Sequence, residues 1–153
     1  DLHPDLVCMS KAISGGYIPF GAVWTSAEIA RYYDDEVLCC GLTNYAHPLG
    51  LAALDAVLDT MQSGEFVAHH QQLSRQFEVA CRALELVDAV REVRVRGLMA
   101  AVFLDRPAPS WQTAFDHGLH IFSRDDFSIL APPYVTTTDR LLQAMGIFEQ
   151  LLR

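Results

Sequence analysis

The sequence predicts an α/β segment that is followed by a small α+β unit. In the first part, two short apolar runs flank a glycine-containing turn and precede an apolar helix, a pattern typical of buried strands with a covering helix. In the second part, an amphipathic helix precedes two pairs of strand-like runs and a final helix. The Ser63-Gly64 pair separates these patterns. We therefore expect one domain over residues 1–63 and another over residues 64–153.

The first part contains two predicted strands and a long predicted helix. Residues 6–9 and 21–25 predict buried strands, because each is an apolar run bounded by turn residues. Ser26 is a predicted N-cap for a short helix. Pro48 suits the first turn of a helix that reaches about Met61. This helix is apolar nearly all round, so we expect it to be buried on several sides.

The second part shows a helical period before its strands. Apolar residues recur at spacings of three, four and seven along the long helix, at Phe66, Leu73, Phe77, Cys81 and Leu84. Strand-like runs follow at residues 92–95, 98–104, 120–123 and 128–131. Gly97 is expected to bend or bulge the chain between the first two. Thr136, with Asp139 three residues later, is expected to cap the last helix.

Composition argues against two classes of partner. No apolar run reaches the roughly 18 residues that a membrane-spanning helix needs, although 51% of the residues are apolar. The net charge is −8, and the 11 lysine and arginine residues form no cluster. We therefore expect neither a nucleic-acid nor a membrane partner. The surplus of apolar residues suggests that a protein partner covers part of the surface.

The four cysteines predict neither a metal site nor a disulfide framework. Cys8, Cys39, Cys40 and Cys81 show no C-x-x-C pair and no metal-ligand spacing. The adjacent Cys39 and Cys40 cannot easily bridge one another without strain. We expect the cysteines to be small buried hydrophobic residues in a reducing, cytoplasmic compartment.

The stretch SKAISGGYIPFGAVWTS, residues 10–26, places a lysine beside two adjacent glycines. Lys11 follows a predicted strand, and α/β sheets gather ligands at the carboxyl ends of strands. Gly15 and Gly16 would allow the backbone to approach a bound group closely. A lysine attacks a carbonyl carbon only as the neutral amine, which requires desolvation or a nearby positive charge. From the spacing alone, Lys11 is either a catalytic lysine or a solvated turn lysine.

The segment PDLVCMSKAISGGYIPFGAV resembles the cofactor-lysine segment of class III aminotransferases, which are pyridoxal-phosphate enzymes of fold type I. The matching positions are Pro4, Asp5, Lys11, Gly15, Gly16, Tyr17, Pro19, Gly21, Ala22 and Val23. The resemblance implies that Lys11 forms a Schiff base with pyridoxal 5′-phosphate. It also implies transamination between an amine or amino acid and a keto acid or aldehyde.

A second segment, GLTNYAHPLGLAAL, resembles the threonine loop and following helix of the same family. The resemblance implies that Thr43 binds the cofactor phosphate of the neighbouring subunit, and therefore that the protein is a homodimer. The alternative for Thr43 is a loop hydroxyl that satisfies local backbone. Ala46 stands where the family often has glycine. We interpret His47 as a helix-entry residue rather than an acid or base.

The segments VRGLMAAVFL and GLHIFSRDDFSILAPPYVTTTDRLLQAM resemble the small domain of the family. Many members carry an arginine before the proline pair that clamps the substrate α-carboxylate. Ile129 or a neighbour holds that place here, so the fixed clamp is missing. Arg124 lies where amine:pyruvate-type members carry a mobile arginine, which implies a role in substrate binding. The alternative is a solvated turn arginine that pairs with Asp125 or Asp126.

The resemblance covers nearly the whole chain but only the later half or less of a complete family member. Because the sequence also begins with aspartate rather than methionine, we interpret it as a C-terminal part. Residues 1–63 would end the large cofactor-binding domain, and residues 64–153 would form the small α+β domain. Two alternatives stay open. The protein could be an aminomutase or racemase of the same family, or a non-catalytic fragment that acts only as an interaction partner.

Overall fold

A computed structural model describes residues 2–153, and the chain divides into two compact units between Phe66 and Val67. The first unit contains a two-stranded antiparallel sheet and two helices: β1 (Leu6–Met9), β2 (Ala22–Thr25), α1 (Ala27–Tyr32) and α2 (Pro48–Gln62). The predicted strands and helices of this part are therefore confirmed in position. Ser26 caps α1 as predicted, since its hydroxyl accepts from the amide of Ile29 at 3.5 Å.

The predicted burial of the first unit is wrong. Leu6 and Trp24 of the two strands are exposed, and so are Leu49 and Leu58 of α2. Among residues 2–66, only Ser14 and Gly50 are buried. The physical reason is that a two-stranded sheet with a single long helix offers too few layers to enclose a core. No helix within residues 2–153 combines the length and the hydropathy that a bilayer span requires.

The second unit contains the four strands and the two long helices that the sequence predicts for it, and one short helix more. A long helix leads into it, followed by two hairpins and two further helices: α3 (Gly64–Ala83), β3 (Val90–Arg96), β4 (Met99–Leu104), α4 (Trp111–Asp116), β5 (Phe122–Arg124), β6 (Phe127–Leu130) and α5 (Thr138–Leu152). The sheet is antiparallel, in the order β3-β4-β6-β5. Gly97 lies in the two-residue turn of the first hairpin, where Arg96 faces Met99, and its φ of +57° suits that tight turn.

The core of the second unit lies between the sheet and the apolar faces of α3 and α5. Its fully buried side chains include Leu73, Phe77, Val102, Leu104, Leu141 and Phe148. The predicted apolar period of α3 is thereby confirmed. The predicted cap of α5 is wrong by one residue, because the hydroxyl of Thr137 accepts from the amide of Arg140 at 3.4 Å. Arg140 has no carboxylate with which to complete a capping box.

The prediction that the cysteines are buried holds only for Cys81. Cys8, Cys39 and Cys40 are exposed, and all four thiols are free. The exposed three lie in the first unit, which has almost no core to bury them. Cys81 lies on the buried face of α3, and burial raises the pKa of its thiol to about 12.

Candidate functional site

Lys11 is the only lysine of the 153-residue sequence, and it lies two residues after the end of β1. It begins a 3₁₀ turn, Lys11–Ser14, with a φ of +57°. This left-handed backbone costs a non-glycine residue roughly 1–2 kcal/mol. The side chain is exposed, and it forms no ion pair within the described residues. The structure therefore presents a free primary amine on a strained turn.

Hydrogen bonds on both sides of the glycine pair fix this turn. The amide of Gly15 donates to the carbonyl of Ala12 at 2.9 Å, and the amide of Tyr17 donates to the carbonyl of Ser14 at 3.1 Å. The Ser14 hydroxyl donates to the carbonyl of Ile18 at 2.6 Å. Because several bonds constrain a few residues, the strained conformation of Lys11 can persist.

The lysine turn packs against α2 at two glycines. A Cβ added to Gly15 would lie 3.1 Å from Val57 of α2, and one added to Gly50 of α2 would lie 2.6 Å from the ring of Phe20. By contrast, nothing lies within 4 Å of a Cβ added to Gly16. The backbone is therefore tightly packed on the α2 side and open at Gly16, where a bound group could approach.

Sequence reasoning missed the contribution of Ser14, Phe20 and Gly50. The signal for Gly50 was available, because a glycine inside an apolar helix often marks a close approach of another segment. The contacts of Ser14 and Phe20 had no such signal, since a serine and a phenylalanine fit many local environments.

Thr43 lies on an exposed loop between α1 and α2, and its hydroxyl has no hydrogen-bond partner within residues 2–153. It lines a surface cavity whose walls are residues 18–21, residues 42–47 and Gly50, and Lys11 is not among the residues that line it. His47 caps α2, since its Nδ1 accepts from the amide of Leu49 at 3.2 Å. Its predicted helix-entry role is confirmed.

The loop around Thr43 carries two left-handed residues. Asn44 has a φ of +67° and Ala46 a φ of +51°. Asparagine tolerates this region, whereas alanine does not adopt it without strain. Glycine would adopt it freely, which gives a physical reason for glycine at the position of Ala46.

Arg124 ends β5 in the second unit, opposite Phe127. Its Nε lies 3.3 Å from a carboxylate oxygen of Asp125, and both side chains are largely exposed. Asp126 is held instead by Arg91, at 2.7 Å, and this hydrogen bond lowers the pKa of the Asp126 carboxyl. Of the two predicted partners, Asp125 is therefore the one that Arg124 contacts. An exposed pair of this kind contributes little, so the guanidinium can leave it at small cost.

The donor set of the first unit fits a cofactor that carries an aldehyde and a phosphate. The free amine of Lys11 can condense with a carbonyl carbon. The unpaired hydroxyl of Thr43 is a suitable donor to an anionic oxygen. Open space beside Gly16 leaves room for a planar group near the turn.

Comparison with known proteins gives matches along almost the whole chain. The family Aminotransferase class-III matches residues 1–152. An omega-aminotransferase from Caulobacter vibrioides is 34% identical over 162 residues, which cover 97% of this chain and 37% of that protein. An acetylornithine aminotransferase from Corynebacterium efficiens is 37% identical over 152 residues, which cover 97% of this chain and 36% of that protein.

Solved structures give the same result. A taurine:2-oxoglutarate aminotransferase from Bifidobacterium kashiwanohense, in complex with PLP and glutamate, is 26% identical with a TM-score of 0.88 over 99% of this chain and 38% of that chain. An acetylornithine aminotransferase from Elizabethkingia anophelis is 28% identical with a TM-score of 0.81, over 99% and 39%. This chain thus spans well under half the length of the relatives that it matches. The agreement of sequence and fold from the lysine turn to the last helix shows that the chain belongs to the class III aminotransferase family.

Proposed function

We propose that the protein carrying this chain catalyses pyridoxal-phosphate-dependent transamination between an amine or amino acid and a keto acid or aldehyde. The observation that carries the proposal is Lys11, the single lysine, held free on a strained turn beside an open glycine. Support also comes from the relatives named above, all of which are aminotransferases. Strain at a residue of suitable chemistry is a recognised mark of functional sites.

Lys11 would hold the cofactor and then act as the acid–base group. When bound, pyridoxal 5′-phosphate supplies the electron sink for the reaction. With substrate bound, Nζ of Lys11 would be the group that takes the proton from the substrate carbon that bears the amino group. The hydrogen-bonded turn would limit the movement of Nζ, which would favour this proton transfer.

Thr43 would donate its hydroxyl to the cofactor phosphate of the neighbouring subunit in a homodimer. Its exposed and unpaired hydroxyl is available for that hydrogen bond. The left-handed residues Asn44 and Ala46 fix the path of the loop that presents it. In this proposal residues 1–63 belong to the large domain of a cytoplasmic enzyme, and residues 64–153 form its small C-terminal domain.

Arg124 would bind the carboxylate of an amino-acid or keto-acid substrate. Its exposed contact with Asp125 is weak, so a substrate carboxylate that offers two oxygens competes with it well. An apolar amine would leave the contact with Asp125 in place.

The test is an assay of amino transfer to pyruvate and to 2-oxoglutarate by the whole protein. Lys11→Arg keeps the positive charge but removes the reactive amine, and we expect it to lower kcat at least about 100-fold. A kcat close to wild type in this variant would contradict the proposal. Turnover of an amino acid without consumption of either keto acid would indicate a mutase or racemase, and absence of turnover with a broad panel of amines would indicate a non-catalytic chain.

A further inference from the structure

We infer that Ser14 is a positioning residue for Lys11. The buried hydroxyl of Ser14 would fix the backbone of the turn that both residues share, and that backbone sets the position of Lys11. The inference rests on the proposed function of Lys11. Ser14 is the last residue of the 3₁₀ turn that Lys11 begins, so the two are separated by a single turn of backbone.

The burial of Ser14 is exceptional in its surroundings. Its exposed fraction is 1%, although Gly50 is the only other buried residue among residues 2–66. Its hydroxyl donates to the carbonyl of Ile18 at 2.6 Å, at the short end of the range for such bonds. A buried hydroxyl that makes a short bond in a poorly buried unit indicates a local constraint on the backbone.

The bond of Ser14 closes the segment that contains both left-handed glycines. Gly15 has a φ of +60° and Gly16 a φ of +78°, and both lie between Ser14 and Ile18. Such residues are free to take many conformations unless their neighbours are fixed. Two hydrogen bonds hold the ends of this segment together. The Ser14 hydroxyl donates to the Ile18 carbonyl, and the Tyr17 amide donates to the Ser14 carbonyl.

Lys11 depends on this closure because its own backbone is strained. A left-handed lysine relaxes to an ordinary conformation unless the surrounding bonds prevent it. Removal of the Ser14 hydroxyl leaves the Ile18 carbonyl without its partner and loosens the turn. Lys11 then presents its amine from a wider range of positions, so fewer encounters with an aldehyde are productive.

Two other serines of the first unit supply matched controls. Ser10 directly precedes Lys11, but its side chain makes no capping bond. Ser26 caps α1 through its hydroxyl, away from the lysine turn. Ser26→Ala therefore removes a hydrogen-bonding hydroxyl from the same unit without touching the turn.

The experiment compares Ser14→Ala, Ser14→Thr, Ser10→Ala and Ser26→Ala in the 153-residue chain. Amide hydrogen exchange at Tyr17 and the Cα chemical shift of Lys11 report on the turn without cofactor. The rate at which pyridoxal 5′-phosphate and borohydride label Lys11 reports on the amine.

For Ser14→Ala we expect about fivefold faster exchange at Tyr17, a Lys11 Cα chemical shift that moves away from left-handed values, and about fivefold slower labelling of Lys11. In Ser14→Thr the exchange rate at Tyr17 and the labelling rate of Lys11 should stay within about twofold of wild type. The same holds for Ser10→Ala and Ser26→Ala.

Wild-type behaviour of Ser14→Ala in all three measurements would overturn the inference. An equal effect of Ser26→Ala at Tyr17 and Lys11 would also overturn it, because general destabilisation would then suffice. Failure of the wild-type chain to become labelled would contradict the proposed function of Lys11 instead. The exchange and the chemical shift would still decide the role of Ser14.

Discussion

Three residues of the proposed site have a backbone conformation that side-chain-bearing residues seldom adopt. Lys11, Asn44 and Ala46 all have a φ between +51° and +67°. For lysine and alanine this costs roughly 1–2 kcal/mol each, while asparagine tolerates it better. Asp125, next to Arg124, has a φ of +50° as well, so left-handed residues occur at or beside each of the three predicted site residues.

The cysteines give a prediction at the residue scale that tests the burial of the two units. We expect iodoacetamide at pH 8 to modify Cys8, Cys39 and Cys40 rapidly and Cys81 only after denaturation. The attacking species is the thiolate, and burial both raises the pKa of Cys81 to about 12 and blocks access to it. Intact mass after modification counts the modified thiols, and a Cys81→Ala variant identifies the slow one. Rapid modification of all four thiols in the folded chain would contradict the structure.

At the scale of elements, the lysine turn depends on α2 as much as on its own residues. Gly50 admits the ring of Phe20, and Gly15 admits Val57. The segment that follows Lys11 therefore packs on the helix at two points, so a change on the helix should alter the conformation of Lys11.

A comparison of alanine substitutions at two helical glycines, Gly50 and Gly146, tests this packing. Gly146 of α5 has nothing within 4 Å of an added Cβ, whereas a Cβ added to Gly50 would lie 2.6 Å from the Phe20 ring. We expect Gly146→Ala to stabilise the protein by about 0.5–1 kcal/mol, since alanine favours helices over glycine. Gly50→Ala should be destabilising by about 1–3 kcal/mol, because the added methyl must displace the ring.

Denaturant unfolding measures both variants, with Trp24 reporting on the first unit and Trp111 on the second. Lys11 labelling should slow in Gly50→Ala and stay unchanged in Gly146→Ala. Equal stabilisation by the two alanines would show that Phe20 does not pack as described.

The positions of the elements were predictable from local signals, whereas their burial was not. Ser26 and Pro48 mark the starts of α1 and α2 through capping and a fixed φ, which act over a few residues. The exposure of α2 depends on whether other helices or sheets pack around it, and the apolar pattern of the helix alone does not indicate whether they are present. The cap of α5 is Thr137 rather than the predicted Thr136, because adjacent threonines offer equivalent hydroxyls.

The same limit applies to the candidate site. Lys11 and Thr43 were predicted because a family pattern fixes the residues around them. Ser14 was not predicted, because its role rests on one hydrogen bond to a carbonyl four residues away. Such a bond depends on the path of the backbone, which the glycine pair leaves open in the sequence.

At the scale of the whole molecule, apolar side chains are distributed unevenly. The second unit encloses a core of the kind that stabilises an independent domain. In the first unit large apolar side chains are exposed, among them Leu2, Tyr17, Val37, Leu42 and Leu49. So many exposed large apolar side chains in one unit are typical of a surface that another chain or segment covers. The relatives are more than twice as long as this chain, which is consistent with such a cover.

The central claim is that Lys11 is the lysine that holds the cofactor, and labelling of the chain tests it most directly. The chain is mixed with pyridoxal 5′-phosphate, its visible absorption is recorded, and borohydride then fixes any adduct for peptide mass mapping. Apart from the α-amino group, Lys11 is the only primary amine of the sequence, so the position of the label is unambiguous. Lys11→Arg and pyridoxal without its phosphate are the controls.

We predict one pyridoxyl group on Lys11, formed more readily with the phosphorylated cofactor and absent from Lys11→Arg. The phosphate should matter because the Thr43 hydroxyl of a neighbouring copy of the chain would donate to it, while Lys11 supplies the amine for the aldehyde. Absence of a label on Lys11, or an equal yield with and without the phosphate, would contradict the claim that this turn is a cofactor site.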